Sequence, residues 1–196
     1  MKDDIQNTNV TIDIPSRRKF LVTSGGATLS AAAVAMLAGG GALIRPSVAY
    51  AASATDLGIL NTALGAELQA IAAYQLGAES GLLKPDVKKL AITFQGHHKE
   101  HADLLRKTVK QLSGTPAEGL KDYGFPVDKL KTQADVLQFA AGLEKGAISA
   151  YLGAVPQFAN HDLAKAAASI LGDEAMHWAV LRYAPGQEPV PSAFME

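Results

Sequence analysis

Residues 170–181 read Ile-Leu-Gly-Asp-Glu-Ala-Met-His-Trp-Ala-Val-Leu, and Ile170, Glu174, His177 and Leu181 share one face if the stretch is helical. A carboxylate and an imidazole then sit on the stripe whose ends are isoleucine and leucine. A surface helix would place such a pair on the opposite face. The stripe instead reads as core-facing, interrupted at its middle by two polar groups. The helix opens near Asp162 and stops at Pro185-Gly186.

Three earlier segments repeat the pattern. The first begins at the cap pair Thr55-Asp56, carries Leu60, Leu64, Glu67, Ile71 and Tyr74, and ends at Ser80-Gly81. The second starts at Pro85-Asp86 and carries Leu90, Phe94, His98, His101, Leu105 and Leu112 as far as Ser113-Gly114. The third opens at Thr132 and runs through Leu137, Ala140, Glu144, Ile148 and Tyr151 to Pro156. No segment alternates in the manner of a strand, so the fold class is all-α, a four-helix bundle.

The halves match each other. Glu67 and Tyr74 are seven residues apart, as are Glu144 and Tyr151; His98 and His101 are three apart, as are Glu174 and His177. This is an internal repeat of a helix pair. The midpoint of 67 and 98 falls at Leu82-Leu83 and that of 144 and 174 at Ala159, both inside short connections. Antiparallel neighbours therefore carry these residues at one level. The middle connection, residues 114–131, is turn-rich and could extend to roughly 60 Å, while a helix of about 29 residues spans roughly 43 Å. Its length permits a crossover along the bundle.

Buried carboxylates gathered at one level cost several kcal/mol each and repel one another, so they call for compensating positive charge. Two divalent cations would supply it. The chain has no cysteine, which leaves His, Asp and Glu as ligands and excludes disulfides and thiolate chemistry.

At these residues the chain resembles the ferritin-like di-metal carboxylate family, whose pattern is one Glu from each of two helices and Glu-x-x-His from each of the other two. Glu67 and Glu144 stand as the lone glutamates, and Glu174-Ala175-Met176-His177 is a complete motif. Helix 2 departs from it: His98-Lys99-Glu100-His101 has histidine where glutamate is expected. A glutamate can bridge two ions and one imidazole nitrogen cannot, so unequal occupancy is the expectation. His97 and Glu100 lie at the edge of the stripe and beyond it. The resemblance implies two iron or manganese ions held by Glu67, His98, His101, Glu144, Glu174 and His177. It also implies redox chemistry toward oxygen, peroxide or ferrous ion, or else a periplasmic metal-binding or stress-protection protein that holds ions without turnover. Tyr74 and Tyr151 read as core residues with satisfied hydroxyls, or as outer partners of the site.

Before Ala52 the chain has the layout of an export leader. Ser16-Arg17-Arg18-Lys19-Phe20-Leu21 precedes a Gly- and Ala-rich apolar run to Ile44, then Arg45-Pro46 and Ala49-Tyr50-Ala51. The paired arginines resemble a twin-arginine signal, which implies export of a folded, often metal-loaded protein by that machinery to the periplasm or beyond. Cleavage is expected after Ala51, leaving residues 52–196 as one domain without stable membrane insertion. Retention of residues 21–44 as an anchor is the alternative, against which Gly39-Gly40-Gly41 argues. Residues 52–196 carry 13 basic and 16 acidic side chains, a formal charge of −3, without a basic block. Nucleic acid is therefore not an expected partner. A monomer or homodimer is expected, since nothing in the sequence specifies a shell.

Overall fold

Local chemistry sets the starts of three of the four described helices. The computed structural model describes residues 54–195, and within them α1 spans Ala54–Glu79, α2 Pro85–Gln111, α3 Gln133–Ala154 and α4 His161–Tyr183. The leader read in residues 1–51 lies outside the described residues. Pro85 opens α2 at a position that needs no amide proton. Thr132 and Asp135 form a reciprocal capping box at the start of α3. Asn160 Oδ1 accepts from the amides of Asp162 (2.8 Å) and Leu163 (3.4 Å) to start α4. Single 3-10 turns follow at Val127–Lys129 and Val155–Gln157.

The expected cap pair Thr55-Asp56 lies inside α1. Asp56 is fully buried, and its Oδ1 accepts from the Ala159 amide at 2.9 Å. It ties the start of α1 to the turn between α3 and α4.

The helices pair as two hairpins, α1 with α2 and α3 with α4. Across the hairpins α1 and α3 run antiparallel: Asp56 meets Ala159, Glu67 meets Tyr151 and Tyr74 meets Glu144. At the far end a Cβ on Gly77 would come within 3.2 Å of Val136 Cγ1, so the missing side chain permits this approach. With both α2 and α3 antiparallel to α1, the connection between them must traverse the bundle. It leaves where Gly114 packs on Leu57 so closely that a Cβ would lie 2.8 Å from Leu57 Cδ2. It arrives where Gln133 accepts from the Lys84 amide. Along the way Asn61 holds it, donating to the Thr115 carbonyl (3.0 Å) and accepting from the Ala117 amide (2.8 Å). Phe125 then meets Phe139 of α3 edge-on.

The core has two apolar parts. One gathers Leu60, Leu64, Leu105, Val109 and Ile170, the other Phe94, Leu137 and Leu181. Burial of such side chains stabilises by about 1.5–3 kcal/mol each. Among the helices of the described residues none is long and apolar enough to cross a membrane.

Candidate metal centre

Between the two apolar parts lies a polar layer drawn from all four helices. Glu67, His98, Glu144, Glu174 and His177 are each no more than 2% exposed. His101, one turn beyond His98, is less deeply buried. Their donor atoms converge in two groups that can hold a metal ion: Glu67, His98, His101 and Glu174, and His98, Glu144, Glu174 and His177. All six residues singled out from the sequence are therefore brought together. His98 and Glu174 belong to both groups.

Glu174 faces one imidazole with each oxygen. His101 Nδ1 lies 3.2 Å from Oε1, and His177 Nδ1 lies 3.5 Å from Oε2. These four buried atoms make no hydrogen bond. A buried polar atom without a partner costs about 1–3 kcal/mol, and cations here would be coordinated by His101 Nδ1 and Glu174 Oε1 on one side and by His177 Nδ1 and Glu174 Oε2 on the other. The residues present thus fit a bound cation, on the chemistry of the donors and their lack of other partners.

His98 fills the position where the family pattern has glutamate. Its Nδ1 is 2.8 Å from Glu67 Oε2 and its Nε2 is 3.3 Å from Glu144 Oε1. One ring nitrogen addresses each half of the layer, where a carboxylate would have offered two oxygens to the same space.

The tyrosines serve opposite halves. Tyr74 of α1 donates to Glu144 of α3, and Tyr151 of α3 donates to Glu67 of α1. Burial and the facing carboxylates push both phenols well above their ordinary range, so both remain protonated donors.

Protons balance the layer when no cation does. Burial alone would lower the histidines, but the hydrogen bonds that His98 donates to Glu144 and Glu67 outweigh it and raise His98 to about 10. Against the same opposition of burial, Glu174 and Glu67 raise His101 to about 9, and Glu144 and Glu174 raise His177 to about 9. Burial opposes ionisation of the glutamates too, yet their imidazole partners hold Glu67 and Glu144 below the usual carboxylate range. For Glu174 burial wins and its carboxyl is raised.

Two residues outside the sequence-derived set join the cluster. Asp173 Oδ2 lies 3.1 Å from His97 Nδ1, 3.4 Å from His101 Nε2 and 3.3 Å from His177 Nε2. His97, read as lying at the edge of the stripe, is outside both inner groups but 2.9 Å from His177 Nε2 through its Nδ1. Glu100 is exposed. The signal for Asp173 was its spacing, four residues before His177 on the same helical face.

Among known structures, a conserved hypothetical protein from Mycobacterium tuberculosis superposes with a TM-score of 0.62 at 22% identity, covering 71% of this chain and 96% of that one. A ferritin-like diiron-carboxylate protein from Bacillus anthracis gives 0.58 at 22% identity, covering 66% and 94%. A mycobacterial bacterioferritin gives 0.55 at 19%, covering 66% and 82%. At these identities the likeness concerns the fold. No curated protein sequence matches the chain. The sequence profile of the ferritin-like domain matches residues 55–187, which is most of the chain. Four helices in two hairpins, a long crossover and a midbundle layer of glutamate and histidine agree with that match, and the chain belongs to the ferritin-like domain family.

Proposed function

We infer that the chain binds two divalent ions, iron or manganese, and acts in redox chemistry on oxygen, peroxide or the ferrous ion. The observation that carries this reading is the set of four unpartnered atoms around Glu174, one carboxylate oxygen and one imidazole nitrogen on each side. Glu67 with His101 would hold one ion and Glu144 with His177 the other, with Glu174 shared between them. Iron or manganese in such a mixed oxygen and nitrogen site supplies electron-transfer chemistry toward oxygen or peroxide. The protein's own part is to bind, to keep bulk water out through the apolar residues on either side, and to orient Glu67 and Glu144 with the two tyrosine hydroxyls.

His98 favours a second reading, a protein that holds ions without turnover. It occupies the space between Glu67 and Glu144 and is 1% exposed, so a group that could open there in a glutamate-bridged site is already paired on both sides.

Metal content of protein purified without chelator, beside a Glu174→Ala/His177→Ala double variant, tests the binding. Close to two iron or manganese per chain, lost in the variant, is expected. Metal-free protein after reconstitution would overturn both readings. Oxygen-dependent oxidation of added ferrous ion, and peroxide turnover, then separate the first reading from the second.

Residues 1–51 are proposed to direct export by the twin-arginine route, on the strength of Arg17-Arg18 before Phe20-Leu21. Retention of an Arg17→Lys/Arg18→Lys variant in the cytoplasm is the expected result. Unchanged export would count against it.

A further inference from the structure

Outside the inner layer, His97 of α2 and Asp173 of α4 meet the back of His177. His97 Nδ1, Asp173 Oδ2 and His177 Nε2 are separated by 2.9, 3.1 and 3.3 Å, and all three can serve one ion. We propose that this trio is a separate, outer site for a divalent cation of the zinc, ferrous or manganous class.

The spacing suits it. Around an ion with tetrahedral bonds of about 2.0–2.1 Å, ligand atoms lie roughly 3.3 Å apart. Two imidazoles and one carboxylate form a donor set for borderline divalent metals. Proton counting points the same way. At most two protons, one on His97 Nδ1 and one on His177 Nε2, are available for three close pairs of atoms around an ionised carboxylate. Whichever tautomers are chosen, one pair is left as lone pair against lone pair or proton against proton. A cation takes all three lone pairs at once.

Access separates this trio from the inner groups. The His97 side chain is 41% exposed and that of Asp173 21%, whereas His177 is 2% exposed. An ion in water can meet His97 and Asp173 directly. His177 is the shared element, with Nε2 outward and Nδ1 facing Glu144 and Glu174 at 3.5 Å each. A neutral imidazole has one lone pair, so His177 serves the outer ion or an inner one, and the outer ion is held best while the inner claim on His177 is weak. His101 Nε2, 3.4 Å from Asp173 Oδ2, borders the site on its other side.

The test is zinc content after equilibrium dialysis, measured on the full chain as wild type, His97→Ala, Glu174→Ala and Glu174→Ala/His97→Ala. Melting curves confirm that each is folded, and His97 is exposed enough for its loss to leave the fold intact. His97→Ala is expected to lower the content by one zinc per chain in at least one of the two backgrounds, most clearly beside Glu174→Ala. Equal zinc with and without His97 in both backgrounds overturns the outer site. Comparison of His97→Ala with Glu174→Ala/His97→Ala, both without the outer ligand, reads the inner site by itself, so the two proposals fail separately.

Discussion

The hydroxyl of Tyr151 on α3 donates to Glu67 Oε1 on α1 at 2.7 Å, across 84 residues of sequence. It is a buried bond to a carboxylate held in its charged form. Bonds of this kind contribute about 1.5–3 kcal/mol. Tyr151→Phe is expected to lower the stability of the ion-free protein by about that much, and Tyr74→Phe to do the same through Glu144. Urea unfolding measures both. A change below about 0.5 kcal/mol in each would mean that the tyrosines merely fill space.

Stability should depend on pH in opposite senses on the two sides of neutrality. His98, His101 and His177 hold their second proton more tightly when folded, at about 10, 9 and 9, than in the unfolded chain at 6.5. They therefore add stability that is fully present below pH 6.5 and is lost as pH rises through 9 to 10. Glu67 and Glu144 are lowered from 4.5, so their contribution is present above pH 4.5 and lost as pH falls further. The melting temperature of the ion-free protein should decline from pH 7 to pH 10, and a flat profile would refute the histidine assignment.

Those same protons must leave when a metal arrives. Metal uptake at pH 7 is expected to release protons, and apparent affinity to rise with pH toward 9. Calorimetry in buffers of different ionisation enthalpy reads the number directly. A heat independent of buffer would show that the histidines are not displaced from their protonated state.

The two sides of the layer should be separable by substitution. Glu67→Gln removes a carboxylate from one donor group and Glu174→Gln removes one from both. Measured beside His97→Ala, which removes the outer trio, the expected metal content is one ion per chain in the first variant and none in the second. Equal loss in both would indicate a single cooperative site.

Asn61 pins the crossover with two hydrogen bonds. Neutral bonds contribute about 0.5–1.5 kcal/mol each, so Asn61→Ala should cost about 1–2 kcal/mol. It should also speed hydrogen exchange at the Ala117 amide. Exchange unchanged at that amide would place the anchoring elsewhere.

The four helices were legible because each combines a 3.6-residue apolar stripe with a clear stop, and Glu67, Glu144 and Glu174 stood out as carboxylates on those stripes. The repeat and the short connections put them at one level by spacing alone. Asp173 and His97 stand on the partly exposed shoulders of their helices, off the apolar stripes. Whether two shoulders meet depends on how α2 and α4 are rotated against each other, which side-chain packing sets and spacing alone does not. Asp56 was read as a local cap because its neighbours in sequence suggested one, while its partner Ala159 is 103 residues away. The crossover length allowed a parallel α2 and α3 without requiring it. Contacts of α1 with α3 decide that point.

The exchange of tyrosines between hairpins makes each half of the repeat depend on the other. Neither helix pair furnishes the hydroxyl that its own lone glutamate needs; each borrows it from the other. A single hairpin of this sequence would leave that carboxylate without its donor, whereas two identical hairpins related by a twofold axis would supply both. The repeat within the chain thus has the form of two such hairpins joined through the crossover, with His98 against Glu174 as the place where the two copies differ.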